Sequence, residues 1–175
     1  PFLGLLAAVF AGFAAGAVTG FLQTKAKIHP ILAGILTMSG LYTVNITIMG
    51  APNVSLIRRK RVYDRFASLF GENSSGDLPK MILAAIICAV CVVLLIMFFK
   101  TVLGLCIRAT GGNKDTVRAS SIDTDATTVT ALAISNALVA LSGAVIAQTQ
   151  GFADVNSGSG MIVIGLASVI IGEVI

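Results

Sequence analysis

Long apolar stretches alternate with short polar segments along this chain. The clearest stretch, residues 81–99, reads MILAAIICAVCVVLLIMFF and contains no charge. At about 1.5 Å of rise per residue, such a helix nearly matches the hydrocarbon core of a bilayer, and a helix that is apolar on every face is not typical of a soluble domain. The pattern predicts an all-α polytopic membrane protein, with further spans over residues 2–22, 31–49 and 126–147.

A fifth apolar stretch, residues 161–172, is only twelve residues long. It is too short to cross a bilayer as a straight helix, so we expect it to be re-entrant or completed by further sequence. The chain begins without Met and is apolar from its second residue. We therefore interpret residues 1–175 as a fragment of a larger helical bundle.

The composition agrees with a membrane protein and argues against several other classes. Apolar residues make up 56% of the chain and charged residues 11%, whereas soluble domains are about 25% charged. The net charge is +4, and the basic residues cluster between the apolar stretches. This distribution favours contact with anionic lipid or a cytoplasmic partner over nucleic acid.

Small residues recur at every fourth position of the first span. Gly12, Gly16 and Gly20 share one helix face with Ala8, and small residues in this register let a second backbone approach closely. We expect a helix-packing surface here, although the sequence does not identify its partner.

Uncharged polar residues mark the second span: Ser39, Thr43, Asn45 and Thr47. Side chains of this kind face protein or water more often than lipid. They are candidates for one wall of a solute translocation path. Hydrogen bonding between helices explains them equally well.

The loop over residues 50–80 carries the basic run Arg58 to Arg61, and residues 55–70 are predicted to form an amphipathic surface helix. Alternating spans put this loop opposite the connections at residues 23–30 and 100–125. Each side then holds six basic residues, so the positive-inside rule does not assign the orientation.

The polar segment at residues 100–125 is predicted to form a compact helical element at the membrane face. Gly104 should help the chain turn after the span, and Gly111 to Asn113 should form a break in which left-handed conformations are easy. Asn113 or Asp115 could cap a short polar helix over residues 114–121. Such a helix could dock into a partner's groove, with Val117 and Ile122 as apolar contacts.

Several kinds of chemistry are missing from the sequence. It has no Walker A pattern, so we do not expect this chain to hydrolyse ATP. Cys88 and Cys91 lie within an apolar span without further ligands nearby, which favours packing over metal or redox chemistry. His29 is the single histidine. We predict no catalytic residues, no metal site and no cofactor.

Residues 100–123 also resemble a known family. The residues that carry the resemblance are Thr101, Gly104, Arg108, Ala109, Gly111, Asn113, Ala119 and Ile122. Their spacing is similar to the cytoplasmic coupling loop of ABC importer permeases for branched-chain amino acids, ribose-like sugars and related solutes. The segments KIHPILAGILTMSGLY and GSGMIVIGLASVIIGE also resemble family features. The aromatic amino acid subgroup is the most similar.

The resemblance implies that the chain is a partial transmembrane permease domain of a bacterial inner membrane importer. Loop 100–125 would be cytoplasmic and would contact a separate ATPase subunit, while loop 50–80 would be external. Further implied partners are an extracytoplasmic binding protein and a second permease copy. The implied coupling residues are Arg108, Ala109, Gly111, Gly112, Asn113, Lys114, Val117, Arg118, Ala119 and Ile122.

One departure from the family pattern and one alternative function accompany the resemblance. The family often has glycine immediately before the apolar residue of the coupling segment, where this chain has Ser121. The alternative function is a secondary transporter or channel that needs no ATPase. Such carriers more often hold charged residues at mid-membrane depth, whereas the charges of this chain lie in its loops, which favours the importer.

Overall fold

The computed structural model describes residues 2–56 and 78–174. Seven helices and two short strands follow one another along these residues. The helices are α1 (Phe2–Thr24), α2 (Pro30–Met49), α3 (Leu78–Phe99), α4 (Val102–Gly112), α5 (Lys114–Ala119), α6 (Thr124–Gln150) and α7 (Ser159–Val174), and the strands are β1 (Asn53–Ser55) and β2 (Phe152–Asp154). The predicted surface helix at residues 55–70 and the basic run Arg58 to Arg61 lie outside the described part, apart from residues 55 and 56.

Four of the described helices are long and apolar enough to cross a membrane: α1, α2, residues 81–99 of α3, and α6. The chain is therefore an all-α, multi-pass membrane protein. Helix α7 has sixteen residues, which at about 1.5 Å per residue is shorter than a bilayer core. This helix contains the short apolar stretch at residues 161–172 that the sequence indicated.

Helices α1 and α6 pack against each other along a seam of small residues, which is the most extensive contact in the described structure. The buried residues of α1 are Gly12, Gly16 and Gly20. A Cβ atom at Gly16 would lie 2.7 Å from Cα of Ala133 and would overlap the carbonyl oxygen of Leu132. The absence of side chains therefore allows the two backbones to approach closely.

The register of the seam shows that α1 and α6 run antiparallel. A Cβ atom at Gly20 would meet Val129, near the start of α6, whereas one at Gly12 would meet Ala140, farther along that helix. The end of α1 and the start of α6 consequently lie at the same end of the bundle. We call it the proximal end and the opposite one the distal end.

Helix α2 packs beside α1, where the hydroxyl oxygens of Thr19 and Thr37 lie 3.0 Å apart. At the distal end, β1 pairs with β2 in antiparallel register, with Val54 opposite Ala153. Leu83, near the start of α3, packs against Leu5 of α1. The distal end thus gathers the starts of α1 and α3 and the ends of α2 and α6.

Glycine ends two of these helices. Gly50 follows α2 with φ of 70°, and Gly151 follows α6 with φ of 80°. The backbone N–H of each donates to a carbonyl four residues earlier, that of Ile46 or of Ala147. A left-handed residue at a helix C-terminus is most easily a glycine, so these two residues fix where the chain leaves each helix and enters the small sheet.

Candidate functional site

The proximal end of the bundle holds α4 and α5, which connect two spans. A tight corner between α3 and α4 sets the direction of α4. The hydroxyl of Thr101 donates to the carbonyl of Phe98 at 2.6 Å and accepts from the N–H of Gly104 at 3.3 Å. Gly104 lies inside α4 and packs on the backbone of Phe98 and Phe99. The absence of a side chain at Gly104 lets α4 pack closely against the end of α3, which helps the chain turn at residues 100–101, as expected.

Asn113 joins α4 to α5 and caps both helices. Its backbone N–H donates to the carbonyl of Ala109 at 3.1 Å. Its side-chain oxygen accepts from the N–H groups of Asp115 and Thr116 at 3.0 and 3.1 Å. Asn is among the preferred residues for this N-terminal cap. The two hydrogen bonds from the backbone N–H groups of Asp115 and Thr116 to its side-chain oxygen hold the start of α5 in place.

The expected break at Gly111 to Asn113 is present at Asn113, but none of the three residues is left-handed. Gly111 and Gly112 belong to α4, and Asn113 is extended, with φ of −155° and ψ of 105°. A Cβ atom at Gly111 or Gly112 would meet no atom within 4 Å in the described chain. These two glycines therefore present bare backbone at the surface, although neither the local conformation nor packing within the described chain requires them.

Most of the predicted coupling residues lie on the exposed surface of α4 and α5. The exposed ones are Arg108, Ala109, Gly111, Gly112, Asn113, Lys114, Arg118 and Ala119. Ile122 is half-buried, whereas Val117 is only 7% exposed and packs inside the chain. Apolar contact with a partner at this surface would therefore involve Ile122 and not Val117.

The turn between α5 and α6 contains a strained residue. Ser121 has φ of 60°, a left-handed conformation that costs a non-glycine residue about 1–2 kcal/mol. The N–H of Ser121 donates to the carbonyl of Arg118, and the N–H of Ile122 donates to that of Val117. These bonds hold the serine in a conformation that glycine adopts without strain.

We predict that Ser121→Gly stabilises the protein by about 1 kcal/mol, because glycine removes the strain of the left-handed backbone. The neighbouring Ser120 has φ of −85°, so Ser120→Gly is the control without strain to relieve. It should lower stability, because it adds entropy to the unfolded chain and removes the hydrogen bond from the Ser120 hydroxyl to the carbonyl of Thr116. Thermal unfolding in detergent, followed with a thiol-reactive dye on the free Cys88, Cys91 and Cys106, measures both. Equal destabilisation by the two substitutions would contradict the prediction.

Asp123 begins α6 and connects it electrostatically to the turn between α1 and α2. Its carboxylate accepts from the N–H groups of Asp125 and Ala126 at 2.9 and 3.1 Å. These backbone hydrogen bonds, first that of Ala126, and then the positive charges of Lys25 and Arg118, lower the pKa of Asp123 below its ordinary value of 3.8. The charge of Lys25 acts on Asp123 because the end of α1 lies beside the start of α6, where Gly20 packs against Val129.

We predict that Asp123→Ala destabilises the protein more than Asp123→Asn does, because asparagine keeps an oxygen for the cap and loses only the charge. Since the pKa of Asp123 is lowered in the folded state, its charge stabilises the fold above pH 3.8. This advantage over Asp123→Asn disappears as the pH falls through the lowered pKa. Thermal unfolding of the three proteins at neutral and acidic pH tests this, and an advantage that grows on acidification would refute it.

The predicted path residues of α2 lie on surfaces that no other described element covers. Ser39, Thr43, Asn45 and Thr47 are all exposed. The hydroxyls of Thr43 and Thr47 donate to carbonyls one turn earlier in α2, at 3.4 and 2.8 Å. At about 100° per residue, Asn45 lies on a different face from Thr43 and Thr47. The hydroxyl face of α2 is thus turned away from α1.

The sequence interpretation missed two threonines at the proximal end. Thr110 of α4 and Thr127 of α6 are buried, and their hydroxyl oxygens lie 3.1 Å apart. The concentration of threonines at the start of α6 (Thr124, Thr127, Thr128 and Thr130) is the signal that could have indicated a polar contact there. The described residues contain no group of three or more metal-binding side chains.

Comparison with known proteins places the chain among transport proteins. Residues 1–174 match the family described as branched-chain amino acid transport system / permease component. A tyrosine transport system permease protein of Clostridioides difficile (strain R20291) is 38% identical over 172 residues, which cover 98% of this chain and 55% of that protein. An uncharacterized protein of Rickettsia prowazekii (strain Madrid E) is 34% identical over 98% of this chain and 58% of that protein.

This chain spans just over half the length of these relatives. The search of solved structures found no match. The family match covers nearly every residue described here, from α1 to α7. The chain therefore belongs to the permease component family of branched-chain amino acid transport systems.

Proposed function

We propose that this chain forms part of the membrane-spanning permease subunit of an ATP-driven ABC importer for a small polar solute. The observation that carries the proposal is the exposed element formed by α4 and α5 at the proximal end of the bundle. Helix α4 is apolar at its start, α5 is short and polar, and Asn113 caps the junction between them. The element lies between two membrane-spanning helices. A surface of this kind suits docking to a soluble partner on one side of the membrane.

A separate ATPase subunit is the proposed partner of this element, with the proximal end in the cytoplasm. Gly111 and Gly112 offer bare backbone that a partner can approach closely, and Arg108, Lys114 and Arg118 supply exposed positive charge. Closure of an ATPase pair would displace α5, and the displacement would switch the helices between inward-open and outward-open arrangements. The chain itself carries no ATP-binding motif, so ATP hydrolysis is assigned to the partner.

An amino acid is the favoured solute, with a sugar as the less favoured possibility. The relative named as a tyrosine transport permease supports an aromatic amino acid. We assign Ser39, Thr43 and Thr47, which lie on the exposed hydroxyl face of α2, to one wall of the solute path. Asn45 was also a candidate for this wall, but it lies on another face of α2. The hydroxyl groups could replace part of the hydration of a polar solute without placing a charge in the membrane.

Two further partners belong to the proposal. An extracytoplasmic binding protein would deliver the solute at the distal end, and a second permease copy, in a homodimer or heterodimer, would complete the path between two subunits. The polar face of α2 remains uncovered by the described chain, which is consistent with further protein beside it. The proposed location is the cytoplasmic membrane of a bacterium.

Uptake by the reconstituted transporter tests the proposal. The complete permease, its ATPase and its binding protein are placed in liposomes with ATP inside, and entry of radiolabelled tyrosine, leucine and ribose is measured. We expect uptake to require ATP hydrolysis and to favour the aromatic amino acid. Uptake driven by the permease alone, without ATP, would instead establish a secondary transporter or channel.

A further inference from the structure

Helix α4 and helix α6 are connected by the buried hydroxyls of Thr110 and Thr127. These residues are 5% and 8% exposed, and their oxygen atoms lie 3.1 Å apart. Thr110 lies between the exposed coupling residues Ala109 and Gly111, and Thr127 lies in the first turn of α6. The contact therefore joins the end of α4 to a membrane-spanning helix.

Each of these hydroxyls also lies within hydrogen-bonding distance of a carbonyl oxygen of its own helix. The oxygen of Thr110 is 2.7 Å from the carbonyl oxygen of Cys106, and that of Thr127 is 3.0 Å from the carbonyl oxygen of Thr124. A threonine hydroxyl has one proton to donate. Two protons are thus available for three contacts, so one contact goes without a proton. If that contact were the one between Thr110 and Thr127, two hydroxyl lone pairs would face each other in a buried position. The contact without a proton is therefore the one to a carbonyl.

Thr128 determines which carbonyl that is. Its hydroxyl donates to the carbonyl of Thr124 at 2.7 Å, so this carbonyl has a hydroxyl donor without Thr127. Only one direction of the hydrogen bond between Thr110 and Thr127 leaves both carbonyls, those of Cys106 and Thr124, with a hydroxyl donor. Thr127 donates to Thr110, Thr110 donates to the carbonyl of Cys106, and Thr128 serves the carbonyl of Thr124.

We propose that Thr110 and Thr127 are positioning residues that transmit displacement of the coupling surface to α6. This proposal rests on the proposed function of α4 and α5 as the ATPase-docking element. The directed hydrogen bond holds the end of α4 to the start of α6, and α6 is in turn packed on α1 through the glycine seam. Movement of Thr110 is thereby passed to two membrane-spanning helices together.

Another connection between the same elements is less suited to this role. The ion pair between Arg118 and Asp125 is 3.4 Å long, and its side chains are 67% and 36% exposed. An exposed ion pair contributes little and is screened by salt. The contact between the Thr110 and Thr127 hydroxyls is shielded from water, so salt does not weaken it. It is therefore better suited than the ion pair to pass movement of α4 to α6.

The experiment uses the complete transporter, with ATPase and binding protein, and measures solute uptake per ATP hydrolysed. Thr127→Val removes the donor and keeps the side-chain shape. Thr110 retains its bond to Cys106. We expect uptake per ATP to fall about fivefold, the factor that corresponds to one net hydrogen bond, while the ATPase remains bound. Thr127→Ser restores a hydroxyl and should recover most of the loss.

Two substitutions in the same helix sharpen the test. Thr128→Val removes the hydroxyl donor of the Thr124 carbonyl, so Thr127 should turn to that carbonyl and release Thr110, which lowers uptake per ATP as well. Thr130→Val is the matched control, because its hydroxyl donates only to the carbonyl of Ala126; it should leave the ratio unchanged. If Thr127→Val does not fold, Thr128→Val carries the test alone.

The outcomes separate the two proposals. ATP-dependent uptake by the unmodified transporter, with the same uptake per ATP in Thr127→Val and Thr128→Val, would overturn the positioning role and leave the importer function intact. Uptake without ATP in the unmodified transporter would overturn both. A loss in Thr127→Val that Thr127→Ser does not recover would assign the effect to packing and would also overturn the positioning role.

Discussion

Gly16→Val is expected to disrupt the α1–α6 seam and to lower the yield of folded protein sharply. Even a single Cβ atom at Gly16 would come within 2.7 Å of the backbone at Ala133. Backbone atoms cannot move aside as the end of a flexible side chain can, so the helices must separate. Overpacking of this kind costs about 1–3 kcal/mol, and separation also loses contacts along the rest of the seam.

The matched control for this substitution is Gly4→Val in the same helix. A Cβ atom at Gly4 meets no atom within 4 Å in the described chain, so the change alters composition and helix propensity in the same way without overlap. Size-exclusion yield in detergent and the thiol-dye unfolding midpoint measure both variants. Equal yields and midpoints for Gly16→Val and Gly4→Val would show that the seam does not determine the stability of the bundle.

Gly112→Pro is expected to uncouple ATP hydrolysis from uptake while the protein still inserts into the membrane. Proline in a helix removes a backbone N–H donor and brings its ring against the carbonyl of the previous turn, at a cost of about 3 kcal/mol. Gly112 is the last residue of α4 and precedes Asn113. The change should therefore displace α5. A cost of about 3 kcal/mol corresponds to a factor of roughly 100, so we expect uptake per ATP to fall between about tenfold and about 100-fold.

Gly112→Ala is the control, since alanine favours the helix by about 1 kcal/mol and its Cβ atom would meet open space in the described chain. It should fold at least as well as the unmodified protein. Unchanged uptake per ATP in Gly112→Pro would contradict the coupling role of α5. A loss in Gly112→Ala with intact folding would show that the ATPase occupies the space left by the missing side chain.

The sequence alone predicted much of this fold because lipid imposes a strong constraint on apolar length. The all-α, multi-pass class and the family are confirmed. The spacing of Gly12, Gly16 and Gly20 indicated a packing surface, but it could not reveal that α6 is the partner. A surface of small residues can pack against many different helices. The partner is identified as α6 only by the structure, in which the backbone at Leu132 and Ala133 lies against Gly16.

The details of the proximal end were harder to predict, because they depend on where hydrogen bonds go. Glycines at 111 and 112 suggested left-handed backbone, yet the caps supplied by Asn113 allow α4 to continue through both. The left-handed residues at this end are Lys27 and Ser121, and only the departure of Ser121 from the pattern of the resembled family gave a signal. The contact between Thr110 and Thr127 joins residues seventeen positions apart, and no local pattern encodes such a pairing.

The small sheet at the distal end has a consequence for movement. Pairing of Val54 with Ala153 attaches the end of α2 to the end of α6, while the contact of Thr19 with Thr37 attaches α2 to α1. Together with the glycine seam, these contacts form a closed ring of three helices. These contacts oppose an independent swing of the hydroxyl face of α2, so we expect a rearrangement that opens a passage beside it to move the three helices together.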